Sequence, residues 1–167
     1  MRTHAPRRKK EAASRVEQLL TKEVLVCRPA DSLNHAAQIL WENDIGALPV
    51  VADDGSNRLV GILTDRDICM ACYTQGGKLP DLLVGTAMSR DVKACTPITT
   101  LEEAANEMAE AQVHRLPVVD GSRQLLGVLS LADLAREAAR KPLTKGGSAG
   151  FALVGKTLAA IVGPRSV

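Results

Sequence analysis

The segment from Val24 to about Arg140 holds one unit written twice, and no other feature narrows the fold as much. Val24-Leu-Val-Cys-Arg-Pro29 aligns with Val92-Lys-Ala-Cys-Thr-Pro97 at an offset of 68 positions. The same offset pairs Leu33, Ala36, Ala37 and Leu40 with Leu101, Ala104, Ala105 and Met108, then Leu48-Pro-Val-Val51 with Leu116-Pro-Val-Val119. Past a longer turn in the first copy, Asp53–Arg58 against Asp120–Arg123, the offset falls to 66 and pairs Gly61-Ile-Leu-Thr64 with Gly127-Val-Leu-Ser130. The length change falls in a turn, where a chain tolerates it best.

Each copy reads as strand, helix, strand, strand, helix. Val24–Cys27 is a short β-branched run ended by Pro29. Leu33, Ala36, Ala37 and Leu40 recur at the spacing of one helical face. Asp31 is placed to cap that helix, and in the second copy Thr99 with Glu102 reads as a capping box. Leu48–Val51 and Leu59–Leu63 are strands joined by a glycine-containing turn, a hairpin signal. The second helix starts at Thr64 or Ser130 and turns Ile68 or Leu134 inward. Neither copy can bury its apolar sheet face alone. The expected fold is therefore α/β (α+β), two pseudo-symmetric β-α-β-β-α repeats packed through their sheets. The first repeat spans 21–82 and the second 83–140, with a basic arm over 1–20 and a tail over 141–167.

Composition excludes several classes. Aromatic residues make up 2% of the chain, so its core must come from Leu, Val, Ile and Ala. A net charge of +2 is too small to make nucleic acid the main partner. The apolar stretch from Gly150 to Gly163 is broken by Lys156 and falls short of the roughly 20 residues a spanning helix needs. No apolar run follows the basic residues Arg7–Lys10 as a secretory signal would require, so a cytoplasmic location with reduced cysteines is expected. His4, His35 and His114 are too scattered for a metal cluster or a nucleophile–base pair, and no phosphate-binding glycine loop or nucleophile elbow occurs. No enzymatic activity, required cofactor or metal is expected.

The most informative step is Gly61-Ile-Leu-Thr64-Asp-Arg-Asp67, matched by Gly127-Val-Leu-Ser130-Leu-Ala-Asp133. A hydroxyl followed three residues later by Asp is, in the plainest reading, a helix cap. The same geometry suits a nucleotide. A helix N-terminus attracts phosphate, a hydroxyl beside it can donate to a phosphate oxygen, and a carboxylate one turn on can accept from a ribose.

Together with Val-x-x-x-x-Pro, Leu-Pro-Val-Val and the lead-in Met88-Ser-Arg-Asp-Val92, this motif resembles the cystathionine β-synthase (CBS) domain family. The resemblance covers roughly residues 20–140 and implies a tandem pair, or Bateman module, with clefts that bind adenosine-containing ligands. AMP, ADP, ATP, S-adenosylmethionine and NAD all fit that description. By resemblance, Thr64 and Ser130 contact phosphate, Asp67 and Asp133 the ribose, and Val26, Cys27, Arg28, Cys95 and Thr96 lie near the base. His114 and Arg115, just before the second Leu-Pro-Val-Val, face phosphates in similar proteins; their equivalents Gly46 and Ala47 are uncharged. The clefts are therefore expected to be unequal, the one with Ser130, Asp133, His114 and Arg115 holding the more anionic ligand. The family also implies a disc-like homodimer, and, with no catalytic or transport domain fused here, an unknown effector protein is expected to be regulated in trans.

Other features read more simply. Cys69-Met-Ala-Cys72 has redox or zinc spacing but no second ligand pair, so small buried residues are expected there. Trp41 packs under the sheet or at a subunit contact. Glu11–Leu20 reads as a short helix behind the basic run, which is either a solvated tail or an electrostatic contact for nucleic acid. Pro142 and Gly146–Gly150 have linker composition, and the apolar piece Phe151–Val162 should dock on its own module or a neighbouring subunit. Rival readings are a scaffold with empty clefts and a nucleic-acid-associated regulator.

Overall fold

The computed structural model describes residues 14–140 and 147–164. The basic run Arg7–Lys10 and the start of the expected helix Glu11–Leu20 lie outside them. Within the first repeat, α1 (Leu33–Glu42) leads to β1 (Ala47–Val51), β2 (Leu59–Thr64) and α2 (Asp65–Gln75). After a 3-10 turn (Leu79–Asp81) and a short α3 (Val84–Ala87), the second repeat follows as α4 (Leu101–Ala111), β3 (Arg115–Val119), β4 (Leu125–Ser130) and α5 (Leu131–Arg140). The last helix is α6 (Gly147–Ile161).

The apolar spacing seen in the sequence becomes burial. Leu33, Ala36 and Leu40 line the inner face of α1; Ala104, Ala105 and Met108 line that of α4. β1 pairs antiparallel with β2 and β3 with β4, in registers that correspond residue for residue, with irregularities at Val50/Val51 and Val118/Val119. The expected opening strands shrink to single parallel bridges, Cys27 to Val50 and Cys95 to Val118. Pro29 and Pro97 follow closely and lack the N–H to extend the ladder.

Two expected caps sit one residue further on. Ser32, not Asp31, caps α1 through the His35 amide at 3.2 Å, while Asp31 accepts from the Arg28 amide. Thr100 with Glu103, not Thr99 with Glu102, forms the capping box of α4, because Thr99 Oγ1 is taken by the Thr96 amide. The hydrogen bonds from Thr100 hold the Glu103 carboxyl below its usual range.

The repeats meet through an apolar cluster of Val51, Leu59, Val119 and Leu125, joined by Val24, Val26, Val92 and Ala94. Beside it the Leu59 amide donates to the Arg123 carbonyl and the Leu125 amide to the Asn57 carbonyl. The lead-in segments are exchanged. Ser89, near the start of the second repeat, pairs with Ile62 of the first; Thr21, at the start of the first, pairs with Val128 of the second. Val84 and Met88 accordingly fill the first core, and Val16 the second.

This exchange explains the glycine of each motif. A Cβ at Gly61 would stand 2.6 Å from Met88 Sδ, and one at Gly127 would stand 2.3 Å from Leu20 Cδ1 and 2.5 Å from the Thr21 carbonyl oxygen. Only glycine lets the lead-in lie flat against the strand.

Helix α6 docks on its own second repeat. Ile161 is buried with α4 and α5, Leu153 and Val154 pack against the same cluster, and Gln112 Nε2 donates to the Ala160 and Gly163 carbonyls. Gly147–Gly150, expected as linker, is helical. No helix among the described residues is long and apolar enough to cross a membrane. On the first repeat the matching groove is open, a hollow of about 280 Å³ lined by Leu40, Trp41, Ile45 and Ile68 among others. Trp41 is 88% exposed, so it does not pack under the sheet.

The cysteines divide by position. Cys27 and Cys95 are buried in the two cores, where burial chiefly pushes their thiols up to about 12 and about 11. Cys69 is exposed and Cys72 half-buried, because α2 turns Ile68 and Ala71 inward instead. Among the described residues no cluster of three or more His, Cys, Asp or Glu could hold a metal ion.

Two outcomes test this arrangement. Gly127→Ala should cost about 1–3 kcal/mol by overpacking against the lead-in, whereas Gly121→Ala, with nothing within 4 Å of its Cβ, should change stability by less than ~0.5 kcal/mol; calorimetric melting compares them. In native protein at pH 8, maleimide should label Cys69 long before Cys27 or Cys95, because the buried thiols are neither ionised nor reachable. Peptide mass mapping reads the order, and early labelling of Cys27 would contradict the core placement.

Candidate functional site

Each copy of the motif folds into the same device. Thr64 ends β2 and caps α2: its Oγ1 accepts from the Asp67 amide at 3.2 Å, while the Asp67 carboxylate Oδ2 accepts from the Thr64 amide at 2.8 Å and hydroxyl at 2.7 Å. Ser130 and Asp133 repeat this at the start of α5, with the corresponding distances 3.2, 2.8 and 2.6 Å. The cap reading of the motif is thus realised in full in both copies. It also fixes where each carboxylate stands, within one turn of a helix N-terminus.

A cleft of about 750 Å³ opens beside the first of these caps. Thr64, Asp65, Arg66 and Asp67 form one wall with Gly46, Ala47 and Ile62. The second repeat supplies Ala111 to Arg115 and Pro117, and the lead-in supplies Ser89 and Asp91 to Lys93. Three elements distant in sequence therefore converge. Arg66, Lys93 and Arg115 bring positive charge, balanced by Asp65, Asp67 and Asp91, so the cleft offers both cations and carboxylates to a polar ligand. A Cβ on Gly46 would lie 3.7 Å from Arg115 Nη1 and 3.8 Å from Asp65 Oδ2. Those are ordinary contact distances, and they place the Arg115 guanidinium beside Gly46 of the first repeat.

Of the residues singled out in the sequence, this cleft gathers Thr64, Asp67, Ala47, His114 and Arg115. Ser130 and Asp133 do not line it, although Ser130 faces Arg115 across the β3–β4 pair. Val26 belongs to the apolar cluster between the repeats, and Cys27 and Cys95 to the two cores. Arg28 and Thr96 are exposed at the turns after the short bridges, where Thr96 bonds Thr99. Lys93, Asp91 and Gln112 also line the cleft, and no ligand motif in the sequence marks them. Their only advance signal was proximity to the lead-in motif and to His114.

The two caps are not equal. Asp67 is half-buried, and its second oxygen, Oδ1, makes no hydrogen bond among the described residues. Asp133 is buried, and its Oδ1 is ion-paired with Arg136 Nη2. At the position matching Arg136 the first repeat carries the exposed Met70.

Comparison with known proteins identifies the architecture. The model of the CBS domain matches twice, over residues 16–73 and 84–140. The chain is similar to CBS domain-containing protein YhcV of Bacillus subtilis (strain 168), 36% identical over 124 residues, which is 73% of this chain and 84% of that protein. It is similar in structure to the CBS domain pair of protein MJ0100, solved with 5-methylthioadenosine and S-adenosyl-L-methionine, at TM-score 0.67 and 26% identity over 77% of this chain and 98% of the other. CBSX2, solved in complex with AMP, superposes at TM-score 0.67 and 29% identity, covering 76% of this chain and 97% of its own. With two matched repeats, reciprocal lead-ins and paired helix caps all in place, the chain belongs to the CBS domain family as a tandem pair.

Proposed function

We propose that this protein is a regulatory module that binds an adenosine-containing ligand between its repeats and passes its occupancy to a partner protein in trans. The observation that carries the reading is the cleft in which Thr64 and Asp67 of one repeat face His114 and Arg115 of the other. Asp67 Oδ1 is available to accept from ribose hydroxyls, and the start of α2 with Arg66 suits a phosphate. His114, Arg115 and Lys93 close over the ligand from the opposite wall. The similar pairs solved with S-adenosyl-L-methionine and with AMP support an adenosyl ligand over other small molecules.

A ligand held by both walls favours whichever arrangement of the repeats lets both walls touch it. Binding thereby shifts a pre-existing equilibrium. The surface that changes is the one presented to the partner. In this reading no bond is made or broken.

Melting curves across AMP, ADP, ATP, S-adenosylmethionine and NAD test this directly. A ligand at about 100 times its Kd should add about 2.7 kcal/mol of stability, a rise of several degrees in Tm. Asp67→Ala should remove the rise for that ligand. Unchanged melting across the whole panel would leave a ligand-free scaffold as the better account.

We also propose a homodimer formed through the first repeat. Trp41 and Tyr73 stand 88% and 83% exposed on its helical face, whereas α6 covers the matching face of the second. Aromatic side chains so placed are typical of an interface core. Sedimentation velocity should find a dimer that Trp41→Glu converts to monomer; an unaltered sedimentation coefficient would reject this face.

A further inference from the structure

We infer that each chain binds a single nucleoside phosphate, seated on Asp67 at the start of α2, and that the matching position at Asp133 is closed by the protein itself. This rests on the nucleotide-binding reading above and adds to it the number and place of the sites. Three differences between the repeats bear on it, the carboxylate most directly.

The first is the carboxylate. A ribose diol needs an accessible acceptor oxygen. Asp67 offers Oδ1, half-buried at the cleft wall, because Met70 stands where the second repeat has Arg136. Asp133 offers none: Oδ2 is held by Ser130, Oδ1 by Arg136, and its side chain is only 10% exposed.

The second difference is the helix end. The amide of Leu131, first residue of α5, donates to the His114 carbonyl at 2.9 Å. The matching amide of Asp65 makes no such bond to Gly46, so among the described residues the first N–H of α2 stays open, while the next, of Arg66, is taken by the Asp65 carboxylate at 2.7 Å. The third is charge. Arg66 and Lys93 line the open cleft, while the positions matching them hold Ala132 and Leu25. His114 and Arg115 lie where the repeats meet and reach the open cleft from the far wall. A phosphate at Asp67 therefore has Arg66, Lys93 and Arg115 within the same cleft, although Asp65, which matches Leu131, and Asp91 stand there too.

Calorimetric titration of the full chain with AMP and ATP, with amide shifts followed by NMR, tests the assignment. The expected result is one site per chain, affinity reduced about tenfold or more by Asp67→Asn, and the largest shifts at Thr64 to Asp67 and Lys93. Two equivalent sites, or shifts centred on Ser130 to Asp133 with affinity kept in Asp67→Asn, would overturn it. Binding of neither nucleotide, with S-adenosylmethionine and adenosine also inert, would instead remove the parent reading and this assignment with it.

Discussion

The structure depends on the pairing of each lead-in with the opposite repeat. Thr21 exchanges two backbone hydrogen bonds with Val128, at 2.9 and 3.0 Å, and Ser89 exchanges two with Ile62, at 3.0 and 2.9 Å. These four bonds cap the open edges of β4 and β2, which would otherwise present unpaired amides and carbonyls to solvent. They also carry Val16 into one core and Val84 and Met88 into the other, so neither repeat has a complete interior without residues that belong in sequence to its sister. The glycines at 61 and 127 are the clearance this contact requires. Duplication, exchange and glycine are one constraint seen at three levels.

The cleft follows from that constraint. Once the lead-ins cross, the residues after Ser89 run along the start of α2, and Asp91 to Lys93 become part of its wall. Thr64 and Asp67 then serve two purposes. Their reciprocal hydrogen bonds close the first turn of α2, worth about 0.5–2 kcal/mol for a cap of this kind. They also leave the other carboxylate oxygen of Asp67, a residue of the cavity wall, with no hydrogen bond among the described residues. In the proposed binding role such a cap is held in place before a ligand arrives, so little ordering would remain to be done on binding.

Much of this was legible along the chain. The helical faces, the hairpins and the hydroxyl-to-aspartate caps all depend on residues within four positions of one another or on adjacent strands. The misplaced caps show the limit of such reading. Thr99 and Thr100 each stand three residues before a glutamate, so spacing alone does not choose between them; the turn from Thr96, which consumes Thr99, does. Trp41 shows another limit. It follows the apolar face of α1 in sequence yet projects outward, because that face is already complete with Leu40.

What the sequence by itself determined was the repeated unit, its order of elements and the two caps with their carboxylates, because those rest on local periodicity and short-range hydrogen bonding. Only the tertiary structure decided which walls meet in the open cleft, that Arg136 occupies Asp133 while Met70 leaves Asp67 free, and that α6 covers one helical face and not its twin. These outcomes turn on contacts between residues far apart in the chain. Near-identical local patterns end in different surroundings there, and surroundings set which carboxylate keeps an oxygen without a hydrogen bond among the described residues.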